Sequence, residues 1–199
     1  MQSNNELPDV PEPFNLAEAR RPIDLPDADN AFVAFAAAGQ LLENPPNNQV
    51  DLDRFNLLDN AVLECDLKPI TWSSASPGIR AYLKAKQPAL ETWREGSQRP
   101  DGLYYQPDKM SIDSTMELIP DAAVLSGMAA LEGSRLEDAG DREGAWKWYR
   151  AILRCSRLIG RHGMLVQRNF GAKIHLLATR SILHWAADPG VDARLLRQA

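Results

Sequence analysis

"GSRLEDAGDREGAWKWYRAILRCSRLIGRHG", residues 133–163, decides how this chain folds. A glycine just past a run at helical period stops one helix and an aspartate caps the next, so Ala139-Gly140-Asp141 predicts a turn between two helices. Beyond it, Trp148, Ile152, Cys155 and Ile159 recur at spacings of three and four, an apolar edge flanked by Ala145 and Tyr149. At about 100° per residue, Lys147, Arg150, Arg154, Arg157 and Arg161 fall within an arc of roughly 80°, with Trp146 just beside them. The stretch thus predicts a helix over residues 142–159 with one buried edge and one cationic edge, folded back on the helix before it.

Working outward, residues 117–138 read as a long helix in which Pro120 is tolerated near the start. After Gly160-Arg161-His162-Gly163, a third helix is expected over residues 164–187, ended by Asp188-Pro189-Gly190. Asp192 then caps a fourth, over residues 193–199. That last helix is too short to hold alone, so the chain reads as a piece of a longer protein or one that needs something packed against its end. Upstream, Ser76 followed by Pro77 opens a helix, and Pro88 kinks or restarts it so that Leu90 and Trp93 share a side. Asp29 or Asn30 caps a helix over residues 31–44 carrying Phe32, Phe35, Ala36 and Leu42, and residues 51–65 give a shorter amphipathic stretch through Phe55, Leu58, Val62 and Cys65. Residues 104–115 read as a loop. Pro8, Pro11, Pro13, Pro22 and Pro26 make residues 1–28 an extended proline-rich arm, leaving residues 29–199 as a single helical domain, best defined from 117 onward. No segment alternates as a strand with hairpin turns would. The expected class is all-α.

With 199 residues, 44% of them hydrophobic and 25% charged, the chain is long and apolar enough to bury one core without staples. No apolar run approaches the roughly 20 residues needed to cross a bilayer, and the N-terminus lacks the basic and apolar regions of a signal peptide, so the chain as given is expected to be soluble. Cys65 and Cys155 have no neighbouring cysteine or histidine at metal spacing and read as packing thiols, with a disulfide between them left open. The net charge of −5 is unevenly spread: residues 140–199 carry 11 Lys and Arg against 4 Asp and Glu, so +7 faces −12 in the remainder. A cationic edge in an acidic chain is either a solvated face pairing with acidic neighbours such as Glu132, Glu137 or Asp138, or a docking surface for an anionic partner. Nucleic acid is the least favoured such partner, because the chain is acidic overall and shows no reader motif.

Sites for chemistry are sparse. There is no G-x-S-x-G, P-loop or G-x-G-x-x-G, and no His-x-x-x-His or Glu-x-x-His pair, so neither a nucleotide cofactor nor a metal is expected. Arg168 and His175 lie seven apart, with Thr179 close by on nearly the same face of the third helix, a polar cluster able to bind an anion or line a groove. His162 reads as a partner of the carbonyls ending the second helix, and His184 with Trp185 as packing or capping residues. Tyr104 and Tyr105 either line a peptide groove or cover the edge of the core, and Trp72 and Trp93 read as apolar anchors.

With Ala145 as the small residue in the second helix of a tetratricopeptide unit, Gly133 falls at the close-packing glycine of the first helix and Gly140 near the turn. Tyr149 then takes the aromatic position and Ile152 the apolar one after it. Ala129 and Leu136 replace the usual Trp and Tyr, and Arg157 stands where the terminal Pro belongs. Together with "PEPFNLAEAR" (residues 11–20) and "DADNAFVAFAAAGQLL" (residues 27–42), the block that opens this section resembles a large group of uncharacterised bacterial proteins, all-helical and tetratricopeptide-like, over most of residues 11–199. The resemblance implies a right-handed stack of antiparallel helix hairpins, often preceded by a membrane segment that this chain does not show, and it implies no activity. The expectation is therefore a non-catalytic scaffold or protein-interaction module, binding a protein or acidic peptide through Lys147, Arg150, Arg154, Arg157, Arg161 and Trp146. The rival expectation is a hydrolase or lyase with a polar site between helices near Arg168 and His175.

Overall fold

Gly140 adopts φ +81°, a left-handed conformation that costs a glycine nothing and most other residues a steric clash. In that turn the Gly140 N–H donates to the Glu137 carbonyl and the Asp141 N–H to the Leu136 carbonyl, both at 2.8 Å, which satisfies the last acceptors of one helix. The Asp141 carboxylate then accepts the Gly144 N–H at 2.8 Å and starts the next. The computed structural model describes residues 18, 20–42, 71–110 and 118–198. In chain order these form α1 (Ala31–Gln40), α2 (Pro77–Ala85), α3 (Gln87–Gly96), α4 (Leu118–Asp138), α5 (Arg142–Arg161), α6 (Leu165–Ala186) and α7 (Ala193–Gln198), with 3-10 turns at Trp72–Ser74 and Pro107–Lys109. The protein is all-helical over the described residues, where a lone parallel bridge between Asn30 and Asp101 is the one trace of strand pairing. No described helix is long and apolar enough to cross a membrane. The amphipathic stretch expected over residues 51–65, most of the proline-rich arm, residues 111–115 of the expected loop and the first residue, 117, of the expected long helix lie outside the described residues.

α5 runs back along α4, and α6 back along α5. At the first crossing a Cβ on Gly133 would sit inside the Tyr149 ring, 2.6 Å from Cζ, so only glycine lets that ring lie flat on α4. At the second, a Cβ on Gly171 would stand 2.6 Å from the Ser156 carbonyl oxygen. α5 continues through Gly160 to Arg161, two residues beyond the expected end; a glycine inside a helix costs only about 1 kcal/mol, and here it abuts Gly171. The predicted apolar edge of α5 is the buried one, with Trp148, Ile152, Cys155 and Ile159 all within the core. The far end of α6 is pinned by Trp185, fully buried, whose Nε1 donates to the Arg142 carbonyl at 2.9 Å while its ring stacks on Trp146 at 5.3 Å.

The N-terminal helices pack against the same core from the side of α4. Asn30 Oδ1 accepts the Phe32 and Leu103 N–H groups, and its Nδ2 donates to the Leu103 carbonyl, so one side chain caps α1 and holds the 101–103 segment against it. Ser76 caps α2 through the Ile79 N–H, and the helix stops at Lys86 because Pro88 starts α3 afresh. Phe35 stacks on Trp93 at 6.3 Å, with Trp93 wholly buried. The C-terminal end of α3 thereby lies beside α5, and this places a second set of polar side chains next to the cationic row.

Candidate interaction surface

The cationic residues of α5 differ sharply in what they already hold. Lys147 Nζ lies 3.3 Å from Glu143 of its own helix, a pair more than half exposed on both sides and so worth little. Arg161 lies 3.5 Å from Asp101 and donates to the Pro100 carbonyl at 3.0 Å. Arg150 and Arg157 are exposed and Arg154 half-buried, and among the described residues none of the three makes an ion pair or hydrogen bond. Of the acidic neighbours expected to pair with the row, Glu132 and Glu137 are engaged elsewhere, while Asp138 is exposed and makes no ion pair among the described residues. Glu132 is held bidentately by Arg135 at 2.7 and 2.8 Å, and Glu137 lies 3.3 Å from His184. Trp146 does not belong to this edge: it is 7% exposed and stacks on Trp185, because the apolar surface between α5 and α6 is wide enough to draw it in.

Two open pockets flank the row. Toward the start of α5, Arg94, Ser97 and Gln98 of the α3 end face Lys147, Arg150 and Arg154 across a groove of about 280 Å³. Arg94 is fixed there by Glu91 at 2.7 Å and by lying 5.6 Å over the Trp148 ring. Toward the other end, Glu18, Arg21, Arg161, His162 and Arg168 line a pocket of about 410 Å³ together with apolar residues such as Ile23 and Met110. His162 does not serve the helix carbonyls as its position suggested; its Nε2 lies 3.0 and 3.1 Å from the two Asp101 oxygens. Burial alone would raise the Asp101 carboxyl, but the His162 contact, the Gly102 N–H and the nearby Arg161 charge outweigh it and hold the group below its ordinary range.

Arg168, His175 and Thr179 are not gathered into one site. Arg168 Nε donates to the Gly163 carbonyl, Thr179 Oγ1 to the His175 carbonyl, and His175 Nδ1 lies 3.3 Å from Ser156 Oγ. Arg168 borders the 410 Å³ pocket, while His175, exposed, and Thr179 do not. Cys155 is a free thiol at 0% exposure, and burial pushes it up to about 12 although Trp93 and Ser126 pull the other way, so it packs and does not react. Cys65 lies outside the described residues.

Sequence reading passes over Arg94 and Arg180, and it names Glu137 only as a neighbour of the cationic row. Arg94 joins the groove only because Pro88 redirects α3 toward α5, a tertiary consequence without a local signature. Glu137 is nearly buried between Tyr149 and His184, and desolvation pushes its carboxyl up despite both. Arg180 on α6 is 8% exposed, with Nε and Nη1 buried and unpaired among the described residues. The available signal was an arginine inside the mostly apolar run Ile174–Trp185, where a solvated face has little room.

Comparison with known proteins finds no matching family, no similar curated protein and no similar solved structure.

Proposed function

We propose that this protein is a non-catalytic helical scaffold that docks an acidic segment of a partner protein on the cationic edge of α5. The observation that carries the reading is the trio Arg150, Arg154 and Arg157, three guanidinium groups on one helix face with no carboxylate partner among the described residues. A row that served only to tie helices together would be spent on its neighbours, as Arg135 and Arg142 are on Glu132 and Asp188. In keeping with a tetratricopeptide-like stack of antiparallel hairpins, α4 and α5 meet through Gly133 and Tyr149, the two positions such a unit reserves for close packing. Repeats of that kind present extended surfaces to other proteins and have no need of a reaction centre. The competing hydrolase or lyase reading requires Arg168 and His175 to converge beside a carboxylate, and their side chains are instead tied to the Gly163 carbonyl and to Ser156.

The test is capture by the immobilised full chain at two salt concentrations, about 50 mM and about 200 mM, repeated with Arg154→Glu/Arg157→Glu. Proteins held by this edge are released by the higher salt and by the charge reversal together. Capture indifferent to the double variant would remove the edge from the function.

A further inference from the structure

We infer that the groove between the C-terminal end of α3 and the first half of α5 receives a phosphorylated side chain of the docked protein. The inference rests on the docking function and specifies the chemistry of what is docked. Arg94, Lys147, Arg150 and Arg154 line the same groove, with Gln98 at its rim. Glu91 already answers Arg94, and Glu143 answers Lys147. Arg150 and Arg154 remain, four residues apart on one helix, so among the described residues the groove holds two positive charges without a carboxylate partner. A carboxylate carries one negative charge, whereas a phosphomonoester carries about −1.5 to −2 at neutral pH and offers three strong acceptor oxygens. Two planar guanidinium forks match that group in charge and in geometry.

Size points the same way. Pockets for drug-sized ligands start at roughly 300 Å³, and at about 280 Å³ this groove is small for one yet roomy for a phosphoryl group on a short side chain. It is open to solvent, so a phosphorylated side chain enters it without the rest of the peptide being enclosed. The Gln98 amide, exposed and without a side-chain hydrogen bond among the described residues, supplies a neutral donor at the rim. Ser97 does not, since its hydroxyl is committed to the Arg94 carbonyl at 2.7 Å.

The experiment is fluorescence anisotropy of the full chain with three labelled peptides of one sequence, carrying at the centre phosphoserine, glutamate or serine. The phosphopeptide is expected to bind at least about tenfold more tightly than the glutamate form, and Arg150→Gln/Arg154→Gln to weaken it at least about tenfold, as loss of a charge-assisted hydrogen bond implies. Lys84→Gln, exposed and away from both the groove and the α5 edge, should change phosphopeptide affinity less than about threefold, with circular dichroism confirming that every variant is folded. If the glutamate and phosphoserine forms bind alike and both depend on Arg150 and Arg154, the phosphate is refuted while acidic docking stands. If neither peptide depends on those arginines, the groove is refuted and the docking function is judged by the capture experiment alone. Co-sedimentation of wild type, but not of Arg150→Gln/Arg154→Gln, with phosphatidylserine vesicles and no preference for phosphopeptide would assign the groove to a lipid surface and overturn the inference.

Discussion

Gly133→Ala places a methyl group where the Tyr149 ring now lies. The added Cβ would approach Cζ to 2.6 Å and the hydroxyl oxygen to 3.0 Å, well inside contact distance. Tyr149 is 2% exposed, so its ring has no solvent into which to swing and α4 must move away from α5. Overpacking of this kind costs about 1–3 kcal/mol. Against it stands the better helix propensity of alanine, worth about 1 kcal/mol in a helix interior. The single variant should therefore lose up to about 2 kcal/mol in urea unfolding followed by circular dichroism. In a Tyr149→Leu background, itself destabilised by the lost ring, the clash is gone and only propensity remains, so the same substitution should gain up to about 1 kcal/mol. The reversal of sign is the diagnostic, because a double-mutant cycle isolates the contact between the two residues. An equal effect of Gly133→Ala in both backgrounds would refute the close packing of α4 on α5.

Glu137 carries a raised pKa in the folded state, so it contributes stability that is full below its unfolded value of about 4.3 and lost as pH rises through the folded one. Glu137→Gln should accordingly be more stable than wild type at neutral pH and show a flatter pH profile in thermal unfolding; a neutral-pH loss would mean that the His184 contact outweighs burial. Asp101 has the opposite sign: its lowered pKa gives stability present above about pH 3.9 and lost as pH falls through the folded value. Asp101→Asn should be less stable at neutral pH and should lose less than wild type on acidification below about pH 4, measured by chemical denaturation at fixed pH. Arg180→Met should leave stability unchanged or raise it by about 1–4 kcal/mol, since it removes a buried guanidinium with two unpaired nitrogens and keeps an unbranched apolar stem. A loss greater than about 1 kcal/mol in the same assay would show that Arg180 is paired in solution.

The local signals in the sequence were strong where punctuation and periodicity coincide. Gly140, Asp141, Ser76 with Pro77, Asn30 and Asp192 each mark a helix end that the backbone hydrogen bonds reproduce. Period alone separated the buried and cationic edges of α5. It failed at Trp146, which sits on the boundary between them: angular position on one helix cannot say how wide a neighbouring helix will be, and α6 supplies Trp185 to cover it. Pairings between distant segments were equally invisible. Asp101 reaches His162 and Arg161 across about 60 positions, and Arg94 reaches the α5 row only after Pro88 has redirected its helix. The polar trio Arg168, His175 and Thr179 looked convergent on a helical projection, yet backbone carbonyls within a turn or so compete for the arginine and the threonine and win.

Lys147 is the one lysine in the cationic row, which makes it a reporter of whatever lies against that edge. Zero-length carbodiimide coupling of the full chain to the protein it captures, followed by mass spectrometry, joins a lysine amine only to a carboxylate in direct contact. Cross-links from Lys147 to aspartate or glutamate of the captured protein, absent at Lys84 and Lys109 and lost with Arg154→Glu/Arg157→Glu, are the expected result. Cross-links concentrated at Lys84 or Lys109 with Lys147 unmodified would contradict docking on the α5 edge.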